Sequence, residues 1–229
     1  MYRKFLNARS PLRMLEKGLH GGLGPGNLGI VVAGPGVGKA SFLVGVALDE
    51  LLRSGRVLHV SMAHTVSHIR DHYDTVFEEL AATAHLENEA QVHVDIDRNR
   101  SIRVYPHNAF TIEKLREAVK IESETTGQPS LVVIEGLDFE TTSRQDFVNL
   151  KGLAGEFAAE VWLSVASNNE QIAQLPPPVE CIEDLVSVIL ALEPGGDAVL
   201  LRALKDHDNP DLTDLHVALD PKTLLLTRH

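Results

Sequence analysis

Leu28-Gly29-Ile30-Val31-Val32-Ala33-Gly34-Pro35-Gly36-Val37-Gly38-Lys39-Ala40-Ser41 is the stretch that decides the fold. Its first six residues form a short apolar, β-branched run, the composition of a parallel strand buried on both faces. From Ala33, which stands at the first glycine position, the stretch otherwise follows the pattern G-x-x-x-x-G-K-[ST], in which backbone N–H groups wrap phosphate oxygens. In that pattern the lysine reaches the β- and γ-phosphates and the last hydroxyl holds Mg²⁺. Gly34, Gly36, Gly38 and Lys39 stand, but the hydroxyl position is Ala40. Phe42 to Leu52 is apolar on almost every side, as a helix packed between layers should be. The N-terminus of that helix adds partial positive charge to the anion site. The candidate nucleotide-binding residues are therefore Gly34, Pro35, Gly36, Val37, Gly38, Lys39, Ala40 and Ser41.

The rest of the chain is consistent with one α/β domain. At 229 residues and 44% hydrophobic content it can bury a substantial core. A net charge of −11 argues against a broad nucleic-acid surface, which needs clustered Lys and Arg. The local exception, Arg98, Arg100 and Arg103, reads as a solvated loop. Cys181 is the single cysteine, so it has no disulfide partner; it reads as buried or semi-buried and fits a reducing cytosol. No apolar run approaches the ~20 residues of a membrane helix, and the start lacks a signal-peptide core. A soluble, cytoplasmic protein is expected. His64, His68 and His72 recur every four residues, and an exposed helix face is the preferred reading over a metal site.

Strands and helices alternate after the loop. Arg56–Met62, Ile102–Tyr105, Ser130–Glu135 and Glu160–Ser167 read as strands. Val66–Ala84, Ile112–Thr125 (capped by Thr111) and Arg144–Ala158 (capped by Ser143) read as helices. Leu86–Asn99 is polar and carries the least regular signal, and Pro176-Pro177-Pro178 is expected to exclude regular structure from the loop 168–179. The last third reads as strands without helices, at Leu185–Leu192, Ala198–Lys205, Leu215–Leu219 and Leu224–Thr227. The organisation is thus a lead-in (1–27), a nucleotide-binding core (28–184) and C-terminal strands (185–229).

On these residues the chain resembles the RecA-like ATPases, and within them the KaiC/RadA branch. Leu19-His20-Gly21-Gly22-Leu23-Gly24-Pro25-Gly26-Asn27 matches that branch's glycine-rich lead-in, directly before the strand and phosphate loop. The likeness runs along nearly the whole chain, although only the loop and lead-in are specific. It implies a RecA-like P-loop NTPase fold: a mostly parallel central sheet flanked by helices, with antiparallel C-terminal strands. It also implies ATP or ADP as ligand, and Mg²⁺ beside it with Glu135 as the candidate metal ligand and candidate catalytic carboxylate.

The catalytic positions of the family depart one after another. Ala40 lacks the metal-binding hydroxyl, whereas Ser41 retains a hydroxyl for the α-phosphate. Ser61-Met62-Ala63-His64 stands where the family carries a glutamate that activates water. Glu135 replaces an aspartate, as a residual ion or nucleotide ligand or as a solvent-facing strand tip. Ser167 and Asn168 occupy the sensor position. Lys205-Asp206-His207 keeps the lysine of a Lys-x-Arg pair and loses the arginine, with Asp206 adding negative charge where a phosphate would sit.

Three readings follow. The first is a nucleotide-binding pseudo-ATPase acting as regulator or scaffold. The second is a slow Mg²⁺-dependent ATPase active in an oligomeric ring, with Asp138, Glu140 or a neighbouring subunit supplying the base. The third is a protein-interaction module on a vestigial loop. A homo-oligomer or a regulatory protein is the implied partner, DNA is a poor fit, and Met1–Pro11 is the segment that would dock onto a neighbour.

Overall fold

A computed structural model describes residue 8, residues 10–212 and residues 215–229. Most of Met1–Pro11, the expected docking segment, lies outside them. Among the described residues nine strands form one sheet, in the order β3-β2-β4-β5-β1-β6-β7-β8-β9. The six strands from β3 to β6 are mutually parallel, and β7, β8 and β9 add to the β6 edge in antiparallel fashion. The strands are β1 (Leu28–Ala33), β2 (Val57–Ser61), β3 (Arg100–Val104), β4 (Leu131–Glu135), β5 (Glu160–Ala166), β6 (Val188–Gly195), β7 (Ala198–Asp206), β8 (Val217–Leu219) and β9 (Leu226–Arg228). The helices are α1 (Leu12–Gly18), α2 (Lys39–Leu52), α3 (Val66–Ala84), α4 (Glu89–Asn99), α5 (Ile112–Thr125), α6 (Arg144–Glu156) and the single turn α7 (Pro177–Glu180).

Alternation along the central strands divides the core into two. Val31, Ala33, Val57, Val133 and Trp162 face α1 to α4 and the C-terminal strands. Ile30, Val32, Leu58, Val60, Ile134 and Leu163 face α5, α6 and α7. Every residue of β1 is buried, as expected of a strand covered on both faces. The caps read from sequence are formed: Thr111 accepts from the Lys114 N–H, and Ser143 makes a reciprocal capping box with Asp146.

Several expectations require correction. The segment read as irregular contains α4, because Val92 and Ile96, one turn apart, bury enough surface to hold a polar helix. The triple proline does not exclude a helix: Pro177 opens α7, where its missing N–H costs no hydrogen bond. The arginine run is not a solvated loop. Arg100 starts β3 with its side chain 2% exposed, pairs with Asp97 and lies 4.6 Å from the centre of the Tyr73 ring, while Arg103 pairs with Glu122 at 2.9 Å. Cys181 is exposed, because it stands at the C-terminal end of α7 whereas Val179 takes the buried side. The strand expected at Leu185–Leu192 runs three residues later and pairs in parallel with β1, so the antiparallel part begins at β7.

Candidate functional site

The loop leaves β1 and enters α2, a helix of 14 residues. Gly36 and Gly38 have φ of +72° and +114°, values that side chains disfavour, so the turn depends on glycine at both. A Cβ on Gly38 would also lie 2.4 Å from Leu219 Cδ2, because β8 packs against the helix start. Lys39, the first residue of α2, folds its ammonium back to donate to the Ala33 and Gly34 carbonyl oxygens, both at 2.9 Å. Burial lowers its pKa from the ordinary lysine value. An anion arriving at the loop would oppose that shift and find the cation already at its rim.

The topology puts this loop in a crevice. After β1 the chain crosses on the face of α2, whereas after β5 it crosses on the opposite face, where Ile172 and Val179 are buried. Adjacent parallel strands whose connections leave to opposite faces open a cleft at their carboxyl ends, where α/β sheets bind ligands. The Gly34–Ser41 loop rims that cleft. A separate cavity of about 570 Å³ lies at the carboxyl ends of β4 and β5, lined by Asp138, Glu140, Ser167 and Asn168 among others and by no residue of the loop. The Glu140 N–H donates to Asp138 Oδ1 at 3.0 Å, and the Ser167 hydroxyl accepts from the Asn169 N–H at 3.1 Å.

Glu135 ends β4 on the sheet face that packs against α2, beside Ser61 of β2. It is 6% exposed, so the solvent-facing reading does not hold. Its Oε2 lies 3.1 Å from His59 Nε2, and His59 Nδ1 lies 3.1 Å from the Tyr73 hydroxyl. A neutral imidazole with its proton on Nε2 satisfies both contacts. Burial pushes the Tyr73 hydroxyl pKa far up, so it stays a donor. Burial opposes ionisation of Glu135, but the His59 hydrogen bond, joined in the acid range by the positive charge of protonated His59, His64 and His72, outweighs it, and its pKa is lowered.

The fit of this donor set to Mg²⁺ is poor. Ala40 offers no oxygen, and the Glu135 carboxylate is buried against an imidazole. Among the described residues no three His, Cys, Asp or Glu side chains converge to hold a metal ion. The lysine and aspartate of the late strand also stand elsewhere. Asp206 pairs in register with Val188, and Val188 with Gly29, at the sheet edge where β1 begins, opposite the loop. There Asp206 is 2% exposed and bound by His20 at 2.6 Å and His207 at 2.9 Å, while Lys205 donates to the Glu183 carbonyl at 2.6 Å. Within one chain Asp206 therefore places no charge at the Gly34–Ser41 loop.

No protein-family model matches the chain, and no curated protein matches it.

Sequence reasoning missed two members of the site. His59 joins Glu135 because β2 and β4 are neighbours, and the period of two with Val57 and Ser61 was its only sequence signal. His72 was assigned to an exposed face together with His64 and His68. Those two are exposed and stacked at 4.4 Å between ring centres, but His72 is half-buried, its Nε2 3.3 Å from Ser41 Oγ. Among the described residues no helix is long and apolar enough to cross a membrane.

Proposed function

We propose that this protein binds ATP or ADP in the Gly34–Ser41 loop and hydrolyses it poorly or not at all, working as a RecA/KaiC-like regulator or scaffold. The carrying observation is the loop itself: a buried parallel strand, two left-handed glycines and a lysine opening a long helix, all at a cleft between oppositely directed crossovers. Such a helix start offers free N–H groups and partial positive charge to phosphate oxygens without a metal. Ala40 and the inward Glu135 support the second half of the reading, because transition-state charge in phosphoryl transfer is normally met by a metal and its ligands. Bound nucleotide would then act by mass action, stabilising one conformation or one oligomer interface.

Titration calorimetry with ATP and ADP, in Mg²⁺ and in EDTA, tests this on wild type and Lys39→Ala. Binding should survive EDTA and weaken about 10- to 100-fold in the variant, the worth of a charge-assisted hydrogen bond. Mg²⁺-dependent phosphate release that rises with protein concentration would support the ring ATPase instead. Absence of binding under every condition would leave an interaction module on an ATPase-like scaffold.

A further inference from the structure

We propose that His72, carried on α3, is a phosphate-binding residue of the loop site, its imidazole taking a proton from solvent as the anion arrives and standing in for a metal's charge. The inference rests on the nucleotide reading above and adds to it a residue, a charge source and a pH dependence. His72 reaches the loop from a different element: its Nε2 lies 3.3 Å from the Oγ of Ser41, the third residue of α2, whose first turn carries the free N–H groups. Ser41 is itself buried, so the ring meets the helix start inside the fold.

The groups around the ring set its charge. Glu135 from β4 favours the imidazolium; His59 from β2, His64 from the turn after β2 and His68 one helical turn away disfavour it. Glu135 is already engaged by His59 at 3.1 Å, which limits what it offers His72. Burial is the largest influence and, with the neighbouring histidines, holds the His72 pKa below the ordinary histidine value. The ring is therefore mostly neutral at pH 7 in the free protein. A phosphate at the start of α2 brings negative charge to this face, and an opposite charge within ~4–6 Å typically raises a pKa by about 1–3 units. Protonation then coincides with binding. The proton comes from the buffer, and the imidazolium supplies one positive charge beside Ser41. Ala40 cannot recruit that charge as Mg²⁺, so the two features are complementary.

The test is proton-linked calorimetry of ADP binding in EDTA at pH 7, in buffers of contrasting ionisation enthalpy, on wild type and His72→Gln. The terminal phosphate of ADP itself titrates near pH 6, so the difference between the two proteins is the quantity read. Wild type should take up about half a proton more than His72→Gln. Its affinity should also gain about tenfold more than the variant's on going from pH 8 to pH 6. Equal proton counts and parallel pH profiles, with ADP still bound, would overturn the role of His72 and leave the nucleotide reading intact. No ADP binding to wild type at any pH would overturn both. Should His72→Gln fail to fold, the His72 Hε1 resonance of wild type, titrated with and without ADP, decides: an upward shift of its midpoint is required, and an unchanged midpoint refutes the proposal.

Discussion

Replacing His59 with leucine strands the Glu135 carboxylate. The two side chains are 1% and 7% exposed and 3.1 Å apart, so a leucine filling the imidazole's space leaves the carboxylate without its hydrogen-bond donor. Breaking a buried pair by removing one partner costs about 3–5 kcal/mol, because the remaining charge stays buried. His59→Leu should therefore lose about 3–5 kcal/mol at pH 7. Adding Glu135→Leu should recover part of that loss, since the double variant buries no charge and retains only the unpaired Tyr73 hydroxyl, a cost of about 1–3 kcal/mol.

The pH dependence gives the sign. In wild type the Glu135 pKa is depressed, so its contribution is present above the unfolded value near 4.5 and is lost as pH falls through the folded value. In His59→Leu the hydrogen bond is gone and burial prevails, placing the folded pKa above the unfolded one. Stability is then retained at low pH and lost as pH rises through the folded value. Urea unfolding of His59→Leu and of His59→Leu/Glu135→Leu at pH 5 and pH 7 measures this. The two variants differ only at residue 135, so the other histidines cancel. The single variant should fall further below the double at pH 7 than at pH 5. A gap that is equal at both pH values, or absent, would refute the claim that His59 holds this carboxylate ionised.

Gly38→Ala should destabilise by about 1–3 kcal/mol through its +114° φ alone, and further through Leu219 at 2.4 Å. Combined with Leu219→Ala in a double-mutant cycle, the two should sum to less than their separate costs by about 0.5–1.5 kcal/mol, because the shared contact is counted once. For Asp206, burial opposes ionisation, but hydrogen bonds from His207, His20 and Asn209 prevail and lower its pKa. Its stabilisation should be present above about pH 4 and lost as pH falls further, and Asp206→Asn should flatten that part of the acid-unfolding curve. Cys181 is exposed, so a thiol reagent should label one thiol per chain under native conditions without urea; labelling only on unfolding would contradict the geometry of α7.

Much of this architecture was legible along the chain. Val66–Ala84 and Ile112–Thr125 begin and end where caps and apolar spacing put them. The strand–loop–helix around Gly34–Ser41 needs only local chemistry, since glycine permits the turn and β-branched residues favour the strand. Local patterns failed where a neighbour decides. Val92 and Ile96 look sparse until β3 and α2 cover them, and Arg100 looks solvated until Tyr73 lies beneath it. The polar cluster is of the same kind. Glu135, His59, Tyr73, His72 and Ser41 span 95 positions of sequence and come from four elements. Period and propensity act over a few residues, so the sequence by itself determined the glycine-rich loop between β1 and α2, the alanine at position 40 and the alternation of strands and helices. Strand order and register are long-range pairings. They decided that Glu135 would meet an imidazole and that Asp206 would lie at the opposite end of the sheet, and the packing of α3 on α2 decided that His72 would reach the start of α2.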